Sequence, residues 1–207
     1  MLLEYIVGKY KENEPIFSGE IQIPGLTETN LRQQLKNLCD RGSLCRFDAG
    51  VYYLPKRSRL GGTAKLPAGI VAKYKYIENN EETFGYYSGY TLANQLGILE
   101  QVPVKEEIVS NNIKAIVREV KLGNQSYIVR RSKIPVDKHN QKTLQLLDLL
   151  KEFDSYVEPG DEMARHRVEA FVRRNSIRRA DVEKYASYFP LTTYKSIFDL
   201  RLENVFA

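Results

Sequence analysis

Thr29, Asn30, Arg32, Gln33 and Lys36 fall within eight positions of the stretch 27–54, TETNLRQQLKNLCDRGSLCRFDAGVYYL. These side chains share one chemistry, the recognition of nucleic acid. Arg32 and Lys36 can reach a phosphate or the acceptor edge of guanine. Asn30 and Gln33 match the paired donor and acceptor of adenine, and Thr29 can bond a phosphate or touch a thymine methyl. An ideal helix turns about 100° per residue. On that wheel Leu31, Leu35 and Leu38 gather on one side with Cys39 beside them. Thr29, Gln33, Lys36 and Asp40 gather on the other, flanked by Arg32, Asn30 and Asn37. One face is oily and docks on a core; the other is free for base edges and phosphates. The plainer alternative is a solvated helix face on a domain used for protein contact.

Further basic side chains lie close behind. Arg46 begins a predicted strand, and Lys56, Arg57 and Arg59 follow with no acid among them. Such a cluster suits the DNA backbone or a minor groove, or else keeps a linker soluble. The full set of candidate DNA-binding residues is Thr29, Asn30, Arg32, Gln33, Lys36, Arg46, Lys56, Arg57 and Arg59.

Other chemistries leave weaker traces. Glu106 or Glu107 with Glu119-Val120-Lys121 has the outline of a magnesium-dependent nuclease, two acids holding the metal and a lysine steadying charge. An E-x-K on a charged strand is common, so solvated positions are the plainer reading. His139 and His166 stand alone among polar neighbours. No Ser-His-Asp order, H-E-x-x-H motif or nucleotidyltransferase signature is present. Phe84-Gly85-Tyr86-Tyr87-Ser88-Gly89 can cradle an anion at a helix start, but the plainer reading is a helix capped by Ser88. Arg165, Arg167, Arg173, Arg174, Arg178 and Arg179 form a basic strip. Asp161, Glu162, Glu169, Asp181 and Glu183 lie within helical reach and can neutralise it. We expect no catalytic residue, no metal, no cofactor and no enzymatic activity.

The elements that must position these groups follow from pattern. Residues 1–12 read as a helix with Leu2, Leu3, Ile6 and Tyr10 on one face, broken at Glu14-Pro15. Residues 16–23 read as a short strand, a helical turn, or one after the other. Thr27 or Thr29 caps the next helix, Gly42 ends it, and residues 44–47 and 51–54 form two strands about Asp48-Ala49-Gly50. Tyr52 and Tyr53 alternate, so one packs inward and the other faces out. This order is that of a winged helix-turn-helix, over residues 1–56. Residues 57–69 complete a Pro- and Gly-containing basic linker that starts at 55, and residues 70–207 form an α+β domain with a helical tail from about 136. Within it, 70–79 is a helix or strand, and a helix runs over about 90–97. Strands are expected at 107–111, 113–121 and 125–132, the last two a hairpin about Gly123-Asn124. Helices are expected at 138–153, 161–174, 178–188 and 192–199. The fold class is α+β.

Composition fits a nucleic-acid partner without requiring one. The chain has 207 residues and net charge +5, divided +2, +3 and 0 over residues 1–60, 61–135 and 136–207. Its apolar runs are too short for a membrane span, and Met1-Leu2-Leu3-Glu4-Tyr5 has no basic n-region. Cys39 and Cys45 have no companion ligands for zinc, and both are expected reduced, with Cys39 a core thiol, in a cytoplasmic protein.

The order DAGVYYLP (48–55), YYSGYTLANQLGILEQVP (86–103), a strand leading to Asn111-Asn112, a β-hairpin and an all-helical tail resembles the antitoxin of AbiE-type abortive-infection systems, which are type IV toxin–antitoxin pairs. The resemblance covers roughly residues 1–190. It implies a winged helix that binds inverted repeats in its own promoter and represses its operon. It also implies a C-terminal part that counters a nucleotidyltransferase toxin encoded alongside, through a functional relation that is direct or indirect. Inverted repeats would need two copies, bound as monomers cooperatively or as a weak dimer. Two other readings stay open: a winged-helix regulator whose second domain senses a ligand or partner, and a magnesium-dependent nuclease.

Overall fold

Leu2 and Ile6, one turn apart, bury one side of helix α1 (Leu2–Lys9). Beyond Pro15 the chain forms strand β1 (Ile16–Phe17) and then a single 3-10 turn (Ser18–Glu20), so the strand-then-turn expectation is the one realised. Helix α2 (Glu28–Asp40) starts at Thr27, whose hydroxyl accepts the Asn30 N–H at 3.4 Å; Thr27, not Thr29, is the cap. Gly42 ends it at φ +72°, while the Ser43 and Leu44 N–H groups close on the Leu38 carbonyl. That closure needs a left-handed residue, which glycine adopts without a Cβ clash. Strands β2 (Cys45–Asp48) and β3 (Val51–Tyr53) follow, and the three-stranded antiparallel sheet has the order β1-β3-β2. Its core joins Leu2, Ile6, Ile16, Leu31, Leu35 and Leu44. Tyr53 is buried and Tyr52 half-buried.

The structure is a computed structural model that describes residues 1–56, 61–158 and 160–207. Arg57 and Arg59 lie outside the described residues. The chain is mixed α+β, and its described residues form two units, Met1–Tyr74 with Leu122–Gln125, and Lys75–Lys121 with Ser126–Ala207. The stretch expected to be a basic linker, 57–69, is packed at its far end. The Ala64 N–H donates to the Lys56 carbonyl, Leu66 is buried, and helix α3 already begins at Ala68 (Ala68–Tyr76).

The second unit is built on a sheet of strands β4 (Gly85–Tyr87), β5 (Lys105–Ser110), β6 (Val117–Leu122) and β7 (Gln125–Arg131), in the order β4-β5-β7-β6. Strand β6 lies at the far edge and turns back through Gly123-Asn124, so β7 enters beside β5 and runs parallel to it. Helix α4 (Gly89–Gln95) connects β4 to β5 and ends at Gly97. The helical tail comprises α5 (Gln141–Leu150), α6 (Glu162–Arg174), α7 (Arg179–Ala186) and α8 (Leu191–Asp199). Nine of the ten residues of α5 are buried. Its leucines, including Leu146, Leu147 and Leu150, pack with Val168, Phe171 and Val182. No helix among the described residues is long and apolar enough to cross a membrane.

Gly85 is the tightest point of this unit. A Cβ there would stand 2.1 Å from the Tyr76 carbonyl oxygen and 2.5 Å from that of Val109, both backbone atoms that a rotamer change cannot move. Gly85→Ala is therefore expected to destabilise the protein by about 3 kcal/mol, the upper range for overpacking. Urea unfolding followed by circular dichroism checks this; an unchanged midpoint would contradict the packing described.

Candidate nucleic-acid interface

Leu31 and Leu35 anchor α2 from below, which turns its polar face to solvent. Thr29, Asn30, Arg32, Gln33 and Lys36 are all exposed there, as are Arg46 on β2 and Lys56 beyond β3. A groove of about 630 Å³ runs between α2 and the β2–β3 hairpin. Arg32, Lys36 and Arg46 all line it, so two cations from the helix and one from the hairpin share one concavity. The helical wheel explains the division. Arg32, Lys36, Cys39 and Asp40 fall on the hairpin side of α2, whereas Asn30, Gln33 and Asn37 fall on the far side. Cations thus border the hairpin and the amides look away from it, while Thr29 shares the hairpin side of the wheel but lies at the start of α2. Among the candidates, Thr29, Asn30, Gln33 and Lys56 do not line the groove.

Local bonds hold several of these groups in place. Arg32 pairs with Glu28 one turn earlier, with both side chains largely exposed. The Gln33 side-chain amide donates to Asn37 Oδ1 at 3.1 Å, and the Arg46 Nε–H donates to the Asp48 carbonyl at 3.3 Å. Lys36 makes no ion pair among the described residues. An exposed pair at this spacing contributes only about 0.3–0.5 kcal/mol, so Arg32 can exchange Glu28 for a phosphate at little cost.

The hairpin supplies residues that the sequence pattern did not single out as groove-forming, Ala49, Gly50 and Tyr52, and the 3-10 turn before α2 adds Ser18. Gly50 has φ +73°, and a Cβ there would sit 3.2 Å from Ser18 Oγ. Tyr52 stands opposite both Ile16 and Arg46 in the sheet register, so it fixes where Arg46 emerges. The alternation of Tyr52 and Tyr53 was the only sequence signal for this. Cys39 and Cys45 are free and half-buried, and burial, more than neighbouring charge, pushes the Cys39 thiol up, as befits a core thiol.

The other sequence candidates are committed elsewhere. Glu107 is held by Arg130 and also accepts the Tyr90 N–H, and Glu119 accepts from Lys105 Nζ at 2.7 Å. No group of three His, Cys, Asp or Glu side chains converges among the described residues. Ser88 sits at the start of α4 but its hydroxyl does not cap the helix; it accepts from Arg130 Nη2 at 3.4 Å instead. The helix start is taken up by Glu107, because the α4 N–H groups face the strand that carries it. In the tail, Arg165 pairs with Glu162 and Glu169, and Arg178 with Asp181, so the basic strip is laced by acids there. No protein-family model matches the chain, and no curated protein matches its sequence.

Because the groove cations hold little structure together, Arg32→Ala and Lys36→Ala should each shift unfolding free energy by less than about 0.5 kcal/mol. Thr27→Ala should cost about 1 kcal/mol through loss of the α2 cap. Thermal unfolding of the three variants tests both expectations. A large loss for Arg32→Ala would give that side chain a structural role instead.

Proposed function

We propose that the N-terminal unit is a winged helix-turn-helix that reads duplex DNA, and that the chain is a DNA-binding antitoxin and autorepressor of a type IV abortive-infection operon. The observation that carries the DNA reading is the groove in which Arg32, Lys36 and Arg46 converge beside the exposed polar face of α2. The order helix, strand, 3-10 turn, helix, hairpin supports it, with the Ser18–Glu20 turn in place of a full helix before α2.

In this reading α2 enters the major groove. Thr29, Asn30 and Gln33 meet base edges, and Arg32 and Lys36 reach guanine or phosphate. The β2–β3 hairpin is the wing, and Arg46 with Lys56, Arg57 and Arg59 holds the adjoining backbone. Each bidentate base contact discriminates by about 1–3 kcal/mol, and each phosphate contact steepens the salt dependence by about 0.9 in log–log slope. The chain performs no covalent chemistry in this role. Support for the antitoxin role is the residue order 48–55, 86–103 and Asn111-Asn112. The target is the chain's own promoter, with two copies on inverted repeats, and the toxin is a nucleotidyltransferase countered functionally.

A gel-shift titration against the DNA upstream of the chain's gene, at two salt concentrations and beside a scrambled duplex, tests the DNA reading. Wild type should bind the upstream duplex selectively, more weakly as salt rises. Arg32→Ala/Gln33→Ala/Lys36→Ala should lose selectivity and flatten the salt slope by about 2, for two lost cations. Equal weak binding to both duplexes would refute sequence-specific reading. Co-expression with a neighbouring nucleotidyltransferase gene tests the antitoxin role separately: unrelieved toxicity would refute it.

A further inference from the structure

Helix α8 (Leu191–Asp199) inverts the usual pattern of a packed helix. Its small polar residues are inside: Thr193 is fully buried and Ser196 nearly so. Its large apolar residues are outside: Leu191 is 83% exposed, Tyr194 44% and Phe198 74%. The cause lies at the end of α5. The last carbonyls of a helix have no partner within it. Ser196 Oγ donates to the Leu150 carbonyl at 2.8 Å, and Thr192 Oγ1 donates to the Lys151 carbonyl at 2.9 Å. These two bonds satisfy the end of α5 and set the rotation of α8. With the hydroxyls committed there, Leu191, Tyr194 and Phe198 face solvent within about 60° of one another on the helical wheel.

A surface helix normally buries its apolar stripe. Single exposed apolar residues are common, but three large ones in one stripe mark a surface that something covers. The charges beside the stripe select what covers it. Lys195 and Asp199 lie one turn apart on the same side of it. Lys195 Nζ stands 2.6 Å from Asp154 and 3.5 Å from Asp199, all three side chains being largely exposed. The border is of mixed sign, so it lacks the cationic rim that nucleic acid or anionic lipid selects. It is complementary to itself. Two copies of α8 packed stripe to stripe about a two-fold axis perpendicular to the helices run antiparallel. The charged border of one then lies along that of the other in reverse order, and each Lys195 faces the second copy's Asp199. A parallel two-fold pairing would put the two charged borders on opposite sides of the seam, with no cation across from an anion.

We propose that two copies of this chain associate through α8, stripe against stripe and antiparallel, with reciprocal Lys195–Asp199 contacts along one border. The spacing of three and four residues between Leu191, Tyr194 and Phe198 is that of a helical seam whose side chains interdigitate. A two-fold axis that crosses midway between Tyr194 and Phe198 sets each Tyr194 against the second copy's Phe198. The nine residues of α8 span only about 13 Å, so the pair buries less than a standard stable interface and the association is weak and concentration-dependent. It joins the two copies that the proposed operator needs, but it stands on α8 alone and not on the DNA reading of α2.

Sedimentation velocity of the full chain, from micromolar to near-millimolar concentration and without DNA, tests the pairing. The mass should rise from monomer towards dimer. Phe198→Glu and Leu191→Glu should each weaken the association by about tenfold or more, because each puts a charge into the apolar seam. Both sites are exposed, so circular dichroism and thermal unfolding of the dilute variants should stay at wild-type values. Lys195→Asp should weaken the association by about fivefold, since symmetry brings the like charges together twice, and Lys195→Asp/Asp199→Lys should restore it. A monomer at every concentration overturns the proposal. So does association that Phe198→Glu leaves intact, or that the double reversal does not recover. A monomer that floats with phosphatidylcholine vesicles would give the stripe to a lipid surface and overturns the pairing as well. Because no DNA is present, failure here leaves the DNA reading standing, and loss of duplex binding leaves the pairing standing.

Discussion

Two glutamine side chains close the open edge of strand β4. Gln141 Nε2 donates to the Gly85 carbonyl at 2.7 Å, and Gln145 Nε2 donates to the Tyr87 carbonyl at 2.9 Å. The donors are four residues apart on one face of α5, and the acceptors two apart on one edge of a strand. Those two periods bring the groups into register. An edge strand with unpaired carbonyls buried under a helix would carry a desolvation cost for each. The glutamines remove that cost and fix the rotation of α5 at the same time. With α5 so fixed, Leu144 packs with Tyr86 and Val109 of the sheet, while the remaining leucines face α6, α7 and α8.

The same constraint accounts for Gly85. The helix-closing carbonyl of Tyr76 and the Val109 carbonyl of β5 approach the Gly85 backbone so closely that no side chain fits. Around this point the Asn111 side chain behaves as a piece of strand: it donates to the Val136 carbonyl at 2.9 Å and accepts the Val136 N–H at 3.0 Å. The loop after β7 is thereby tied to the end of β5. Amide side chains, more than ion pairs, organise this unit, because amides satisfy backbone groups without bringing net charge into the interior.

In the N-terminal unit the organising feature is the small core of Ile6, Ile16, Leu35 and Leu44, which presses α2 against the sheet. That packing leaves the α2 polar face open and sets Arg32 and Lys36 beside Arg46. Glu28, Asp40 and Asp48 stand near these cations, so the surface is a mixed one and its positive character is local. In the proposed DNA reading, selectivity for a duplex comes from the shape and the amides as much as from charge.

Sequence by itself determined what repeats over short distances. The leucine spacing of α2, the Gly42 stop, the turn at Gly50 and the tail helices were legible because helical and strand periods write themselves into residue types. The membership of the α2 polar face followed from the same wheel. Tertiary structure decided what joins distant positions. The approach of Arg46 to Lys36, the commitment of Glu107 to Arg130, and the binding of Gln141 and Gln145 to β4 have no local signature. Ser88 shows the difference most directly: its type and place suit a helix cap, but Arg130, 42 residues further on, takes its hydroxyl instead. A side chain's partner is set by which groups the packed chain leaves within about 3 Å of it, and that distance is fixed only when the sheet and helices have closed on each other.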